Sequence, residues 1–240
     1  MVSCHVERPL DDRVWAAFSN LQESRPGGPA IAALMRPPDA GAGERDEDRW
    51  LARAREAADR GPFGHHTHFT SPTHARPTTG DPAERVRREA EWLHERGARP
   101  TLFCGGGWYT DRSVALACAE LGYVDCTPRA TRPPYLAAGE RWASLGEPAR
   151  VELPSGRELS AIPTTHSLGD LARALPRRAL PGLVHVYLHD TDLVDRRRRT
   201  LLAVVLRALA RRAEVTDLDA LADRVLPDAP RIAWHDVARL

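Results

Sequence analysis

Three histidines at two places carry most of the chemistry legible in this chain. The run Gly64-His65-His66-Thr67-His68-Phe69 sets His66 and His68 two residues apart, and in an extended strand such residues share one face. Both imidazoles then converge on one point, where neutral imidazole is a ligand for zinc and also for nickel, cobalt or iron. The same alternation turns His65 to the opposite face, toward packing. The plainer alternative is a pair of buried, hydrogen-bonded histidines in a Gly/His-rich turn. Farther along, the apolar run Leu183–Leu188 ends in His189-Asp190. A histidine at the end of such a strand suits general acid or base work, because imidazole titrates near neutral pH. Asp190 or Asp192 then orients a histidine or caps the following helix.

These residues need a scaffold that delivers strand ends to one place, and the element pattern supplies one. Strands are expected at Ser3–Glu7, Ala30–Met35, Phe63–His68, Thr101–Cys104, Tyr123–Cys126 and Leu183–His189. Helices are expected after Asp11 or Asp12, over Arg49–Arg60, Pro82–Arg96, Asp111–Leu121, Arg196–Arg212 and Asp217–Arg224, followed by a Pro-rich tail. Asp81, Pro82 and Gly97 read as the N-cap, first position and C-terminal stop of one of them. Alternating strands and helices specify a parallel sheet. Val151–Leu153 and Glu158–Ile162, around Pro154-Ser155-Gly156, break the alternation as a small hairpin insertion. The expected architecture is one α/β domain over residues 1–240: a distorted (β/α) barrel or open sheet of about seven strands. Ligands in such folds gather at the carboxyl ends of strands. Here those ends bear Glu7, His66 and His68, Gly105–Trp108, Asp125, and His189 with Asp190.

Composition removes several function classes. Basic and acidic residues number 34 and 33, so no global field draws the chain to nucleic acid or an anionic membrane. Arg196–Arg199 reads as a solvated helix start. Every basic residue is arginine, which excludes Schiff-base lysine chemistry. No window holds the roughly 18 apolar residues of a membrane span. Met1–Leu10 lacks the apolar run of a leader, and Cys4, Cys104, Cys118 and Cys126 lack zinc-finger spacing. Together these predict reduced thiols and a cytoplasmic location.

Taken in order, the motifs resemble the polysaccharide deacetylases of the NodB homology type. Ala54–Thr70, a helix leading into Gly-Pro-x-Gly-His-His-Thr-His, resembles that family's stretch G-x-x-x-x-H-T-x-x-H. Pro100–Trp108 stands where the family shows F-R-P-P-x-G, and Tyr123-Val124-Asp125 is similar to the strand after the next helix. Val184–Ala222 resembles the closing segment, with its strand-end histidine.

The resemblance implies a divalent-metal-dependent hydrolase that removes an acetyl group from a sugar or related small amide or ester. In that family a metal held by one carboxylate and two histidines activates water and polarises the acetyl carbonyl. Carried over, His66 matches the first metal histidine and His189 the late acid. Glu7 supplies the carboxylate, and His68 replaces the second metal histidine, whose place falls on Thr70. Gly106, Gly107, Trp108, Asp125 and His166 are the expected substrate contacts, and His74 is a further candidate ligand. The paired aspartates of the family's first strand are absent: the base position falls on Val6, and the motif arginine on Cys104. A rebuilt site would draw its base from His5, Asp11 or Asp12. Two alternatives remain open: a deacetylase-fold protein that binds carbohydrate without hydrolysis, and a His-rich phosphoesterase of the PHP class, hinted at by His66-Thr67-His68.

Overall fold

The computed structural model describes residues 1–176 and 180–239. In chain order it contains β1 (Val2–Val6), α1 (Asp12–Ser24), β2 (Ile31–Met35), α2 (Glu47–Arg60), β3 (Phe63–Thr67), α3 (Pro82–Glu95), β4 (Leu102–Gly105), α4 (Arg112–Glu120), β5 (Val124–Asp125) and β6 (Trp142–Ala143). There follow β7 (Ala149–Glu152), β8 (Glu158–Ala161), β9 (His166–Ser167), α5 (Leu168–Ala174), β10 (Val186–His189), α6 (Arg196–Ala210), α7 (Leu218–Val225), β11 (Arg231–Ala233), α8 (Trp234–Val237) and β12 (Ala238–Arg239).

Aspartate starts most of the helices. Asp11, Asp81, Asp111, Asp195 and Asp217 each accept a backbone N–H from the first turn that follows. Each cap satisfies donors that a helix cannot satisfy itself, contributing about 1 kcal/mol. Asp195 also offsets the four arginines that open α6, whose charges oppose the helix dipole there.

The strands run β5-β4-β3-β2-β1-β10 in parallel, with β8 beside β5 and β9 beside β10. β8 and β9 belong to one continuous run, Glu158–Ser167. Along it Ile162 N–H donates to Asp125 O, Thr164 N–H to Pro128 O, and both Thr165 and His166 N–H to His185 O. One bent strand thereby pairs with both ends of the parallel sheet and closes a ring of seven. The hairpin is therefore not an insertion: β8 is a ring strand, and its antiparallel partner β7 extends the sheet outward to β11. The residues expected to form only a tail supply β11, α8 and β12, the last paired with β6. α5 was not anticipated either. A capping box of Ser167 and Asp170 starts it.

Alternation sorts the ring residues into two sets. Ala32, Leu34, Leu102, Cys104, Cys126 and Ile162 pack inside with Leu218, Leu221 and Leu226 from α7 and its end. Val2, Cys4, Val6, Ile31, Ala33 and Met35 face outward to Trp15 and Phe18 of α1, Trp50 of α2 and Leu202 of α6. Asp125 has the outward parity, between Val124 and Cys126. Its carboxylate is buried, accepts Thr127 N–H at 2.8 Å, and is pushed up by desolvation to about 6. Among the described residues no helix is long and apolar enough to cross a membrane.

Two stability predictions follow from these contacts. A Cβ on Gly64 would lie 2.3 Å from Leu34 Cδ2 and 2.8 Å from Leu102 Cβ inside the ring. Gly64→Ala should therefore lose on the order of 1–3 kcal/mol in chemical denaturation through overpacking. Gly146→Ala, which meets nothing within 4 Å, should stay within about 0.5 kcal/mol of the parent. Asp125 holds its proton to a higher pH in the folded chain than in the unfolded one. Its burial consequently costs stability progressively from about pH 4 to pH 6 and fully above that. Asp125→Asn keeps an acceptor for Thr127 N–H and should stabilise at pH 7.5 by up to about 3 kcal/mol. The gain should vanish near pH 4 in the same denaturant titration.

Candidate metal centre

The inward face of β1 and the loop after it carries Ser3, His5 and Glu7. β3 and its continuation carry Gly64, His66 and His68, and β10 with the residue before it carries His185, Tyr187 and His189. Because the strands are parallel and in register, these residues stack in layers up the ring. In the lowest, Ser3 Oγ lies 2.9 Å from His185 Nε2. Above it, the His5 ring lies 4.6 Å from His66 and 5.7 Å from Tyr187, centroid to centroid. At the mouth, Glu7 meets His68 and His189.

The mouth is a cluster of electron-rich atoms. Glu7 Oε1 lies 3.2 Å from His68 Nε2, 3.9 Å from His66 Nε2 and 3.7 Å from His189 Nε2. The two Nε2 atoms of His66 and His68 are 3.2 Å apart. The other nitrogen of each ring faces a carbonyl, His66 Nδ1 at 2.7 Å from Cys104 O and His68 Nδ1 at 3.0 Å from Pro72 O. A carbonyl only accepts, so each Nδ1 carries a proton and each ring turns its Nε2, a lone pair in the neutral tautomer, toward Glu7. Two lone pairs and a carboxylate oxygen facing one another repel unless a cation stands among them. Glu7, His66 and His68 thus fit a divalent ion by the chemistry of their donor atoms, all within 4.8 Å of one another. A second set, His5, His66 and Cys104, meets the same distance limit deeper in the ring.

The electrostatics agree with this arrangement. Burial raises the Glu7 carboxyl, but the imidazoles of His66 and His68 beside it and the charge of His189 outweigh it, leaving it far below the usual carboxylate range. Burial brings His66 down to about 4 and His5 well below its ordinary value, so both stay neutral. His189 moves the other way: desolvation lowers it, yet Asp192, Glu7 and Asp190 raise it further. It is also the most open of the four histidines, with 37% of its side chain exposed.

A cleft of about 540 Å³ opens over these groups, walled by Trp108, Tyr135, Tyr187, His74 and Arg76. Gly107 and Trp108, expected on the substrate side, line it. Gly106 lies just beneath: a Cβ there would meet Thr67 O at 2.6 Å and His68 Cδ2 at 2.9 Å, so only glycine lets this turn approach the strand that carries His66. Three expected site residues stand elsewhere. Asp190 is fully buried, its two oxygens taking Arg8 N–H and Thr191 N–H at 2.8 Å each, and burial raises it to about 6. It ties the loop after β1 to the end of β10. Asp125 faces outward, as described above, and His166 lies on the closing strand with Nδ1 at 2.8 Å from Thr165 Oγ1. Of the other base candidates, Asp11 caps α1, Asp12 pairs with Arg49 and Arg53, and His5 enters the cleft with its Nε2 buried and unpartnered. Val6 packs in the outer core.

Several residues of the site were not anticipated. Arg36 is 2% exposed and donates through Nε and Nη2 to Glu7 O at 3.2 and 2.9 Å, and through Nη2 to Glu44 at 2.6 Å. It fixes the backbone that presents Glu7. Tyr187 shares the parity of His189, a signal available in the strand. Tyr135 comes from the run Arg132-Pro133-Pro134-Tyr135, and only the folded loop brings it over the cleft.

No family model matches the chain, and no curated protein matches it in sequence. Solved structures do. A 4-α-glucanotransferase from Thermococcus litoralis aligns over 95% of this chain at 13% identity and a TM-score of 0.55. The chain spans only 39% of that protein's length. A protein assigned as a polysaccharide deacetylase from Mycobacterium smegmatis aligns over 90% of this chain and 77% of its own, at 16% identity and a TM-score of 0.52. A family 4 carbohydrate esterase from Streptomyces lividans, in complex with acetate, covers 87% and 85% at 13% identity and a TM-score of 0.46. The likeness is one of fold: this chain has the α/β architecture of the NodB-type deacetylase structures, a mostly parallel central sheet flanked by helices.

Proposed function

We propose that the chain is a divalent-metal-dependent hydrolase that removes an acetyl group from a saccharide. The observation that carries this reading is the convergence of Glu7 Oε1 and the Nε2 atoms of His66 and His68 at the mouth of the ring, with His189 Nε2 3.7 Å from the same Glu7 oxygen. Deacetylase-fold neighbours add support at the level of architecture. Glu7, His66 and His68 would hold the ion, zinc before nickel, cobalt or iron, given two imidazoles and one carboxylate. Such an ion, when bound, polarises an acyl carbonyl and lowers the pKa of water.

The chain's own groups do the rest. Cys104 O and Pro72 O lock the two ligand imidazoles in the tautomer that leaves Nε2 free. Arg36 clamps the Glu7 backbone. His189, protonated to a higher pH than a free imidazole, donates its proton to the leaving nitrogen or oxygen of the sugar. Its backbone N–H donates to Asp192 Oδ2 at 3.3 Å, which keeps the strand end and the acid that raises it together. Trp108, Tyr135 and Tyr187 wall the cleft that would receive the sugar.

The two histidine roles separate in experiment. Protein purified without chelator should contain about one divalent ion per chain by elemental analysis. His66→Ala should lose both the ion and turnover. His189→Ala should keep the ion and lose about 10²–10⁴-fold in kcat on whichever acetylated sugar of a panel the parent hydrolyses. An absence of metal in the reconstituted parent, or intact substrates across the panel with metal loaded, would overturn the proposal.

A further inference from the structure

Two arginines among the described residues are buried, and they are treated in opposite ways. Arg36 has a carboxylate and two backbone carbonyls around its guanidinium. Arg129, 3% exposed, has no ion pair and no side-chain hydrogen bond among the described residues, and its Nε is buried without a partner. Its guanidinium carbon instead sits 4.7 Å from the Trp108 ring centroid and 4.9 Å from that of Tyr187. Cation–π contact recovers part of the desolvation cost of a buried cation. It uses none of the five N–H donors, which meet no acceptor among the described residues.

The position of this cation is built, not incidental. Arg129 N–H donates to Ala143 O at 2.9 Å and Arg129 O accepts Leu145 N–H at 3.0 Å, with isolated bridges to Ser144 and Thr164 on its two sides. Trp108 is held at φ 57°, a left-handed backbone that a bulky residue adopts only when its surroundings impose it. Both rings that the guanidinium meets, themselves packed edge to face at 4.7 Å, line the cleft, and Tyr187 lies 5.9 Å from the His189 ring. Arg76, the arginine that lines the cleft itself, is already engaged with Glu140 at 3.2 Å, Gly107 O and Arg141 O.

We infer that the cleft takes a carboxylate-bearing sugar, with the Arg129 guanidinium as the group that pairs with the carboxylate. A planar fork of donors matches a carboxylate bidentately, and the desolvated setting strengthens that pairing over one in open water. This deepens the deacetylase reading, on which the word substrate rests, by placing an acidic sugar unit one ring away from the reacting centre.

Binding tests it without requiring turnover. Calorimetric titration of the metal-loaded protein with a hexuronic acid disaccharide and with its methyl ester should show the acid binding at least ten-fold tighter. In Arg129→Gln that preference should fall to parity, with circular dichroism and melting temperature confirming the fold. Arg129→Lys should retain only part of it, because a point charge lacks the fork. Equal binding of acid and ester by the parent overturns the inference, and this reading needs no variant to fold. A preference that survives in folded Arg129→Gln also overturns it. Failure of deacetylation looks different: a panel left intact while the Arg129-dependent preference persists would sink the activity and leave the acidic-ligand site standing.

Discussion

Ring closure by the single bent run Glu158–Ser167 is the constraint from which the rest of this structure follows. It pairs with β5 at one end and β10 at the other, so every ring strand acquires an inside and an outside. Inside space is narrow, as the contacts around Gly64 demonstrate, and it admits only one set of alternate residues per strand. That parity places Ser3, His5 and Glu7 in a column facing Gly64, His66 and His68. A register slip of one residue anywhere would send this column into the helical layer. The chemistry at the mouth is therefore as well determined as the apolar packing below it.

The sheet's other face has a polar solution of its own. His65, excluded from the ring by the same alternation, meets Glu89 of α3 at 3.0 Å, and Thr67 Oγ1 donates to the same carboxylate at 2.8 Å. Arg85 joins from one turn earlier at 2.8 Å. β3 is thus anchored by a charged network behind it while its inner histidines remain available in front. Burying such a network stabilises little in total, yet removing one member would strand the others.

Much of this was legible in residue types and spacing. His66 and His68 share a face because they are two apart, and His189 ends an apolar strand. The Asp81-Pro82 start of α3 could be read letter by letter. What could not be read was long-range. Glu158–Ile162 looks like half of a hairpin because β7 is its near neighbour in sequence, while its ring partners are β5 and the β10 region. Asp190 and Asp125 sit at strand ends, where functional carboxylates are expected, but parity and backbone amides claim them for structure. Arg36 and Arg129 carry no local signature at all. Their roles depend on what surrounds each guanidinium, and that is known only once the chain is folded. The resemblance through Ala54–Thr70 and Val184–Ala222 pointed to the right architecture although no sequence family model matches.

β1 is an interior strand of the sheet, flanked by β2 on one side and β10 on the other. Its first partner follows within a few dozen residues, whereas Val2 meets Val186 only after most of the chain has been made. During synthesis β1 to β5 can assemble as an open, one-sided sheet whose β1 edge has no neighbour. Loop-closure entropy makes the final pairing the slow step, and an unpaired edge of this kind is a template for another chain. The inward-facing column, which needs β10 for His189, is accordingly completed last, so the half-finished ring spends its most association-prone interval before its mouth is assembled.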